Sequence, residues 1–101
     1  VPGAYEAPLA VDKMAERKAC KAIMVLGAVV QGATPHAGLI NSQVARSLTQ
    51  IAMERGVPVI DGVVAADNLE QAIERCGTKS GNRGWSSAMA AIEMANLMKK
   101  I

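Results

Sequence analysis

Residues 22 to 30 read Ala-Ile-Met-Val-Leu-Gly-Ala-Val-Val, an apolar run with no polar break. A run that is continuous rather than alternating is the pattern of a strand covered on both faces, as in a parallel sheet. It is far short of the roughly 20 residues needed to cross a bilayer, and no charged leader with a cleavage site precedes it. No membrane role is expected, and a cytoplasmic setting is the default. Parallel strands are joined by a crossover that usually contains a helix, so the residues on either side must supply helices.

They do. Glu6-Ala7-Pro8 reads as a helix entry with Pro8 in the first turn, and the apolar positions that follow predict a short helix ending near Lys18. From Pro35 to Arg55, Leu39, Ile40, Val44, Leu48, Ile51 and Ala52 keep a helical rhythm, with Gly56 and Pro58 as the stop. Val57 to Val64 reads as a second buried strand. Asp67-Asn-Leu-Glu70 has the form of a capping box, Asp67 as N-cap and Glu70 at N3, opening a helix through Ile73. Gly77 to Gly84 is a glycine-rich basic turn, after which Trp85, Met89, Ile92 and Leu97 mark a final helix.

Alternating helices and strands imply one α/β domain over residues 1 to 101, with a parallel sheet between helical layers. Only two full strands are legible, with Val1-Pro2 as the tail of a third, and two parallel strands leave long unpaired edges. The expected domain is therefore incomplete, its first strand-helix-strand portion lying before Val1 or being supplied by another chain.

Composition narrows the function. The net charge is +2, and Tyr5 and Trp85 are the only aromatic residues. Nucleic acid is not an expected partner, because binding it needs clustered cations or stacking platforms. Cys20 and Cys76 lack a CxxC spacing and a neighbouring histidine, so they are expected as buried free thiols, and no metal site is implied.

The chemistry concentrates after the first strand, in Gly32-Ala33-Thr34-Pro35-His36. Gly32 lets the backbone approach a ligand, and Thr34-Pro35 reads as N-cap and first residue of the next helix. Free N–H groups, the helix dipole and the Thr34 hydroxyl there favour a phosphate or carboxylate. His36, with an ordinary pKa of about 6.5, suits proton transfer beside it. The same pattern also suits a helix start with no ligand and a solvated histidine. Arg75, Lys79 and Arg83 form a compact cationic group, the other being Lys13 to Lys21. Folded over the strand ends, Arg75 would clamp the same anion. A solvated turn is the alternative.

Four stretches in order are family-like: Val1-Pro-Gly-Ala-Tyr-Glu-Ala-Pro8, Leu26 to His36, Gly56-Val-Pro-Val-Ile60, and Glu70 to Trp85. Together with Ala91-Ile-Glu-Met-Ala-Asn-Leu97 they resemble 6,7-dimethyl-8-ribityllumazine synthase. The resemblance implies a flavodoxin-like three-layer αβα sandwich, assembled as homopentamers and sometimes as a shell of twelve pentamers, with active sites between subunits. It implies condensation of 5-amino-6-(D-ribitylamino)uracil with 3,4-dihydroxy-2-butanone 4-phosphate, with no cofactor. Carried over, Gly32, Ala33 and Thr34 hold the phosphate, Arg75 reaches it from a neighbouring subunit, and His36 shuttles protons. Ala4, Tyr5, Glu6, Val29, Val30 and Arg83 line the other substrate, Arg83 standing where a lysine is usual.

Two further departures matter. Ala37-Gly38-Leu39 replaces the Phe-Asp-Tyr typical of the family, and Asp61 stands where a phenylalanine often packs on the heterocycle. A carboxylate buried at that point would cost several kcal/mol unless paired. An alternative reading is thus a catalytically weakened or inactive shell subunit of the same fold. A phosphate-binding module of another α/β enzyme, resting on the loop alone, is a third.

Overall fold

A computed structural model describes residues 1–32, 36–79 and 81–101. After a single 3₁₀ turn at Ala4–Glu6 the elements run α1 (Ala7–Glu16), β1 (Ile23–Val30), α2 (His36–Arg55), β2 (Val59–Ala66), α3 (Leu69–Arg75) and α4 (Arg83–Lys100). β1 and β2 pair in parallel from Ile23 beside Val59 to Val30 beside Ala66. The α/β class and parallel pairing expected from the sequence are present, and Val1-Pro2 joins no strand.

Side chains alternate across the two strands and so sort the helices into layers. Ile23, Val25 and Val63 face α1 and α2, forming a core with Val11, Ala15, Val44, Leu48 and Ile51. On the opposite face, Val64 and Ala66 pack with Ala72 of α3. There, too, Gly62 lies under Ser87 of α4. The result is helix, sheet, helix. Coverage is uneven, however: Met24 and Leu26 remain 41% and 57% exposed, so β1 is not enclosed on both faces as its composition suggests. The radius of gyration, 14.1 Å, exceeds the roughly 13 Å of a closed globule this long.

Several boundaries differ from expectation. β2 spans Val59–Ala66 rather than Val57 to Val64. Pro58 has no N–H to give, so the ladder starts after it, although its carbonyl accepts from Ile23 N–H at 2.9 Å. At the far end Gln31 N–H donates to Ala66 O at 2.8 Å and carries the pairing onward.

The cap of α3 is Asn68, not Asp67: the Asn68 side chain accepts from Gln71 N–H at 2.9 Å. Gln71, at N3, returns its own side-chain oxygen to Asp67 N–H at 2.9 Å. The cap lies one residue later than predicted, on Asn68, whose backbone is extended, and the Gln71 return bond reaches Asp67, the residue before the cap, rather than the cap residue itself. α4 likewise begins earlier, Asn82 accepting from Trp85 N–H, so Arg83 and Gly84 belong to its first turn. Both cysteines are free, but Cys20 is half-buried and Cys76 exposed, correcting the expectation of two buried thiols.

Candidate anion site at the strand ends

The ladder bonds decide which backbone groups remain free. Because Ile23 and Gln31 donate to Pro58 and Ala66, the odd residues of β1 turn their N–H and C=O toward β2. Ala28 and Val30 turn theirs toward the unpaired edge of β1. On β2 the odd residues Asp61, Val63 and Ala65 face outward, away from β1.

That outer edge of β2 is capped by side chains. Arg83 donates from Nη2 to Asp61 O at 2.9 Å, Asp61 Oδ1 accepts from Val63 N–H at 3.0 Å, and Arg75 donates from Nη1 to Ala65 O. Asp61 is half-buried and hydrogen-bonded, so the isolated buried carboxylate feared from the sequence is not formed. Ser87 Oγ donates to Arg83 O at 2.7 Å and steadies the turn from which Arg83 projects. Lys79 leaves this group: its ammonium lies 4.0 Å from Glu74.

At the carboxyl ends of the strands Gly32 is exposed, with open space around the position of a Cβ. Ala33, Thr34 and Pro35, predicted to hold the phosphate and cap the helix, lie outside the described residues. His36 is the first residue of α2 and is exposed. Arg75, the last residue of α3, lines a cavity of about 230 Å³ together with Gln31, Ala37 and Gly38, the residues flanking the loop. It also lines a larger cavity, about 680 Å³, shared with Arg83, Asn82 and Trp85 along the outer edge of β2.

The remaining predicted residues divide. Tyr5 and Glu6 are exposed on the 3₁₀ turn, and Ala4 lines a cavity of about 200 Å³ against Gly27 and Ala28 of β1. Val29 packs its side chain into the α1–α2 core, whereas Val30 is partly open on the other face. Arg75 therefore lines both the cavity beside Gln31 and Ala37 and the cavity shared with Arg83, whereas Ala4 lines a different cavity from Arg83. Trp85 was read from the sequence only as a helix marker. Its neighbours Asn82 and Arg83, in a chain with two aromatics, were the available signal that it lines the same cavity. Among the described residues no three His, Cys, Asp or Glu side chains gather as a metal site, and no helix is long and apolar enough to cross a membrane.

A parallel β-sheet between helical layers places the chain in the α/β class, whose members commonly bind ligands at strand carboxyl ends. Within that class the assignment is specific. The family model of 6,7-dimethyl-8-ribityllumazine synthase matches residues 1–99, and the chain belongs to that family. The family has the flavodoxin-like fold and places the chain in riboflavin biosynthesis, among transferases.

Proposed function

We propose that the chain takes part in condensing 5-amino-6-(D-ribitylamino)uracil with 3,4-dihydroxy-2-butanone 4-phosphate to 6,7-dimethyl-8-ribityllumazine. The observation that carries this reading is the position of Arg75, which opens onto the cavity bounded by Gln31, Ala37 and Gly38. A guanidinium facing a helix N-terminus across such a gap suits a phosphate, which it grips through two parallel hydrogen bonds. In this proposal Gly32, Ala33 and Thr34 supply the other donors to the butanone phosphate. The pyrimidine 5-amine attacks the ketone and a first water leaves as the imine forms. Loss of a proton from the neighbouring carbon lets phosphate depart with its C–O electron pair. The resulting enol becomes a ketone, and the ribitylamino nitrogen attacks that carbonyl to close the ring as a second water leaves. His36, one residue before the Ala37 that lines this cavity, carries the protons these steps release and require.

The proposal also gives the second substrate to Ala4, Tyr5, Glu6, Val29 and Val30, with Arg83 approaching from a neighbouring copy. Ala4 and Arg83 line different cavities of one chain, which supports an oligomer, in this proposal a homopentamer in the family pattern working in the cytoplasm. Residues 1 to 101 then form part of one domain, and further strands of the sandwich add along the open edge of β1. The direct experiment is lumazine formation followed by absorbance. His36→Ala should slow it by about 10²-fold or more, the range for a lost acid–base group. An unchanged rate would remove His36 from the mechanism.

One observation favours a second reading, an assembly subunit of weak activity. Arg75 and Arg83 are both bound to carbonyls of β2, and Asp61 offers no ring for the heterocycle. A large assembly that forms no lumazine would support it.

A further inference from the structure

The second cationic group of the sequence, Lys13 to Lys21, plays no part in the site above. Its members Lys18 and Lys21 gather at the amino-terminal end of the sheet with Arg55 and Lys99, around a pocket of about 380 Å³ floored by Pro58 and Met98. The four cations come from three separate stretches of chain, the α1–β1 connection, the end of α2 and the end of α4, and no Asp or Glu lines the pocket. Each strand is eight residues long, which puts this pocket about 26 Å from the Gly32 loop.

We infer that this pocket binds an oligophosphate, meaning two or more linked phosphate groups. Arg55 is held by Asp12, but among the described residues no ion pair engages Lys18, Lys21 or Lys99. The obvious internal use for them is to offset helix carboxyl ends, since α1, α2 and α4 all terminate here. Three such ends amount to about −1.5 charges against three ammonium groups. The nearby acids Asp12, Glu16 and Glu54 act on Arg55, and Glu16 is itself paired with Lys13, so the positive surplus rests on Lys18, Lys21 and Lys99. Lys18 is the left-handed residue, φ +54°, just past the Arg17 cap of α1, its N–H bonded to Ala15 O at 3.1 Å. It ends the helix in the usual way, with a lysine where glycine is usual.

The occupant follows from size and charge. Three ammonium groups on flexible stems bind phosphates as point charges, and several of them together favour a linked polyanion over a single one. The apolar floor and the absence of an aromatic side chain from the pocket argue against a nucleic-acid strand.

The test is titration calorimetry of the whole protein with inorganic tripolyphosphate at about 0.1 M salt, where unspecific surface attraction is largely screened. Orthophosphate serves as the comparison. Binding of tripolyphosphate should weaken tenfold or more in Lys21→Glu/Lys99→Glu and stay unchanged in His36→Ala/Arg75→Ala. Lys18→Gly guards against a folding artefact: it relieves the left-handed strain, so the unfolding midpoint should hold or rise while affinity falls several-fold. Absence of binding by the unaltered protein, loss in the His36/Arg75 variant alone, or equal loss in both double variants would each overturn the inference, as would orthophosphate binding to the His36→Ala/Arg75→Ala variant as tightly as tripolyphosphate.

Discussion

Arg55 grips Asp12 through two parallel hydrogen bonds, Nε to Oδ1 at 2.9 Å and Nη2 to Oδ2 at 3.1 Å. The pair ties α1 to the last residue of α2 across 43 positions of sequence, and both side chains remain about one-third exposed. The Arg55 hydrogen bond is the chief reason that the Asp12 carboxyl lies below its ordinary value of 3.8. A depressed carboxylate stabilises the fold above its unfolded value and loses that contribution as pH falls through the folded one. Asp12→Asn should therefore lower the thermal midpoint at pH 7, and the gap from the unaltered protein should close as pH drops below 3.8. Melting curves across that range check it; a constant gap at all pH values would assign the effect to packing.

Gly62 is required by the closeness of α4 to the sheet. A Cβ there would stand 2.6 Å from Ser87 Oγ, 2.7 Å from Leu26 Cδ2 and 2.9 Å from the Val25 carbonyl. Ser87 is buried and bonded to Arg83 O, so it cannot swing aside freely. Gly62→Ala should cost about 1–3 kcal/mol, as overpacking does. Urea unfolding measures this. Because Arg83 hangs from the same helix turn, the variant should also disturb its bond to Asp61 O.

The two caps allow a clean comparison of neighbours. Asn68→Ala should destabilise by about 1 kcal/mol by freeing Gln71 N–H, whereas Asp67→Ala should change stability by only a few tenths, since Asp67 contributes its backbone N–H alone. Equal losses for the two would return the capping role to Asp67.

This shift of one residue shows where sequence reasoning reaches its limit. The β1, α2 and β2 signals come from long apolar patterns, which report burial averaged over many residues, and those elements were legible. Asp67 and Asn68 are both good caps, and the choice between them depends on which one the β2 exit sets in extended conformation. Pro58 displaced the start of β2 for a reason present in the sequence, a missing N–H, which an apolar count overlooks. Within the candidate site, residue type alone nominates His36 and Arg75, and the structure puts His36 first in α2 and Arg75 last in α3. The binding of Arg75 and Arg83 to carbonyls of β2 was not legible, because it depends on that strand ending the sheet. Trp85 was missed since an apolar helix position and a pocket wall look alike without the turn that brings Arg83 beside it.

Whether Arg75 serves its own loop or a neighbour's is open to direct measurement. Within one chain it lines the cavity beside Gln31 and Gly38, yet it is joined to Arg83 along the outer edge of β2, which a second copy can approach. If the site is shared, His36→Ala and Arg75→Ala subunits are each inactive alone, but a mixed assembly pairs an intact His36 with an intact neighbouring Arg75. Equal mixing should restore roughly a quarter of the full rate, the chance that both halves of a head-to-tail contact are unaltered. The subunits must be dissociated and reassembled together, with assembly verified by native mass spectrometry. If Arg75 acts on its own loop, every site in the mixture carries one defect and no activity returns. Recovery therefore separates the two arrangements without requiring either variant to bind substrate normally.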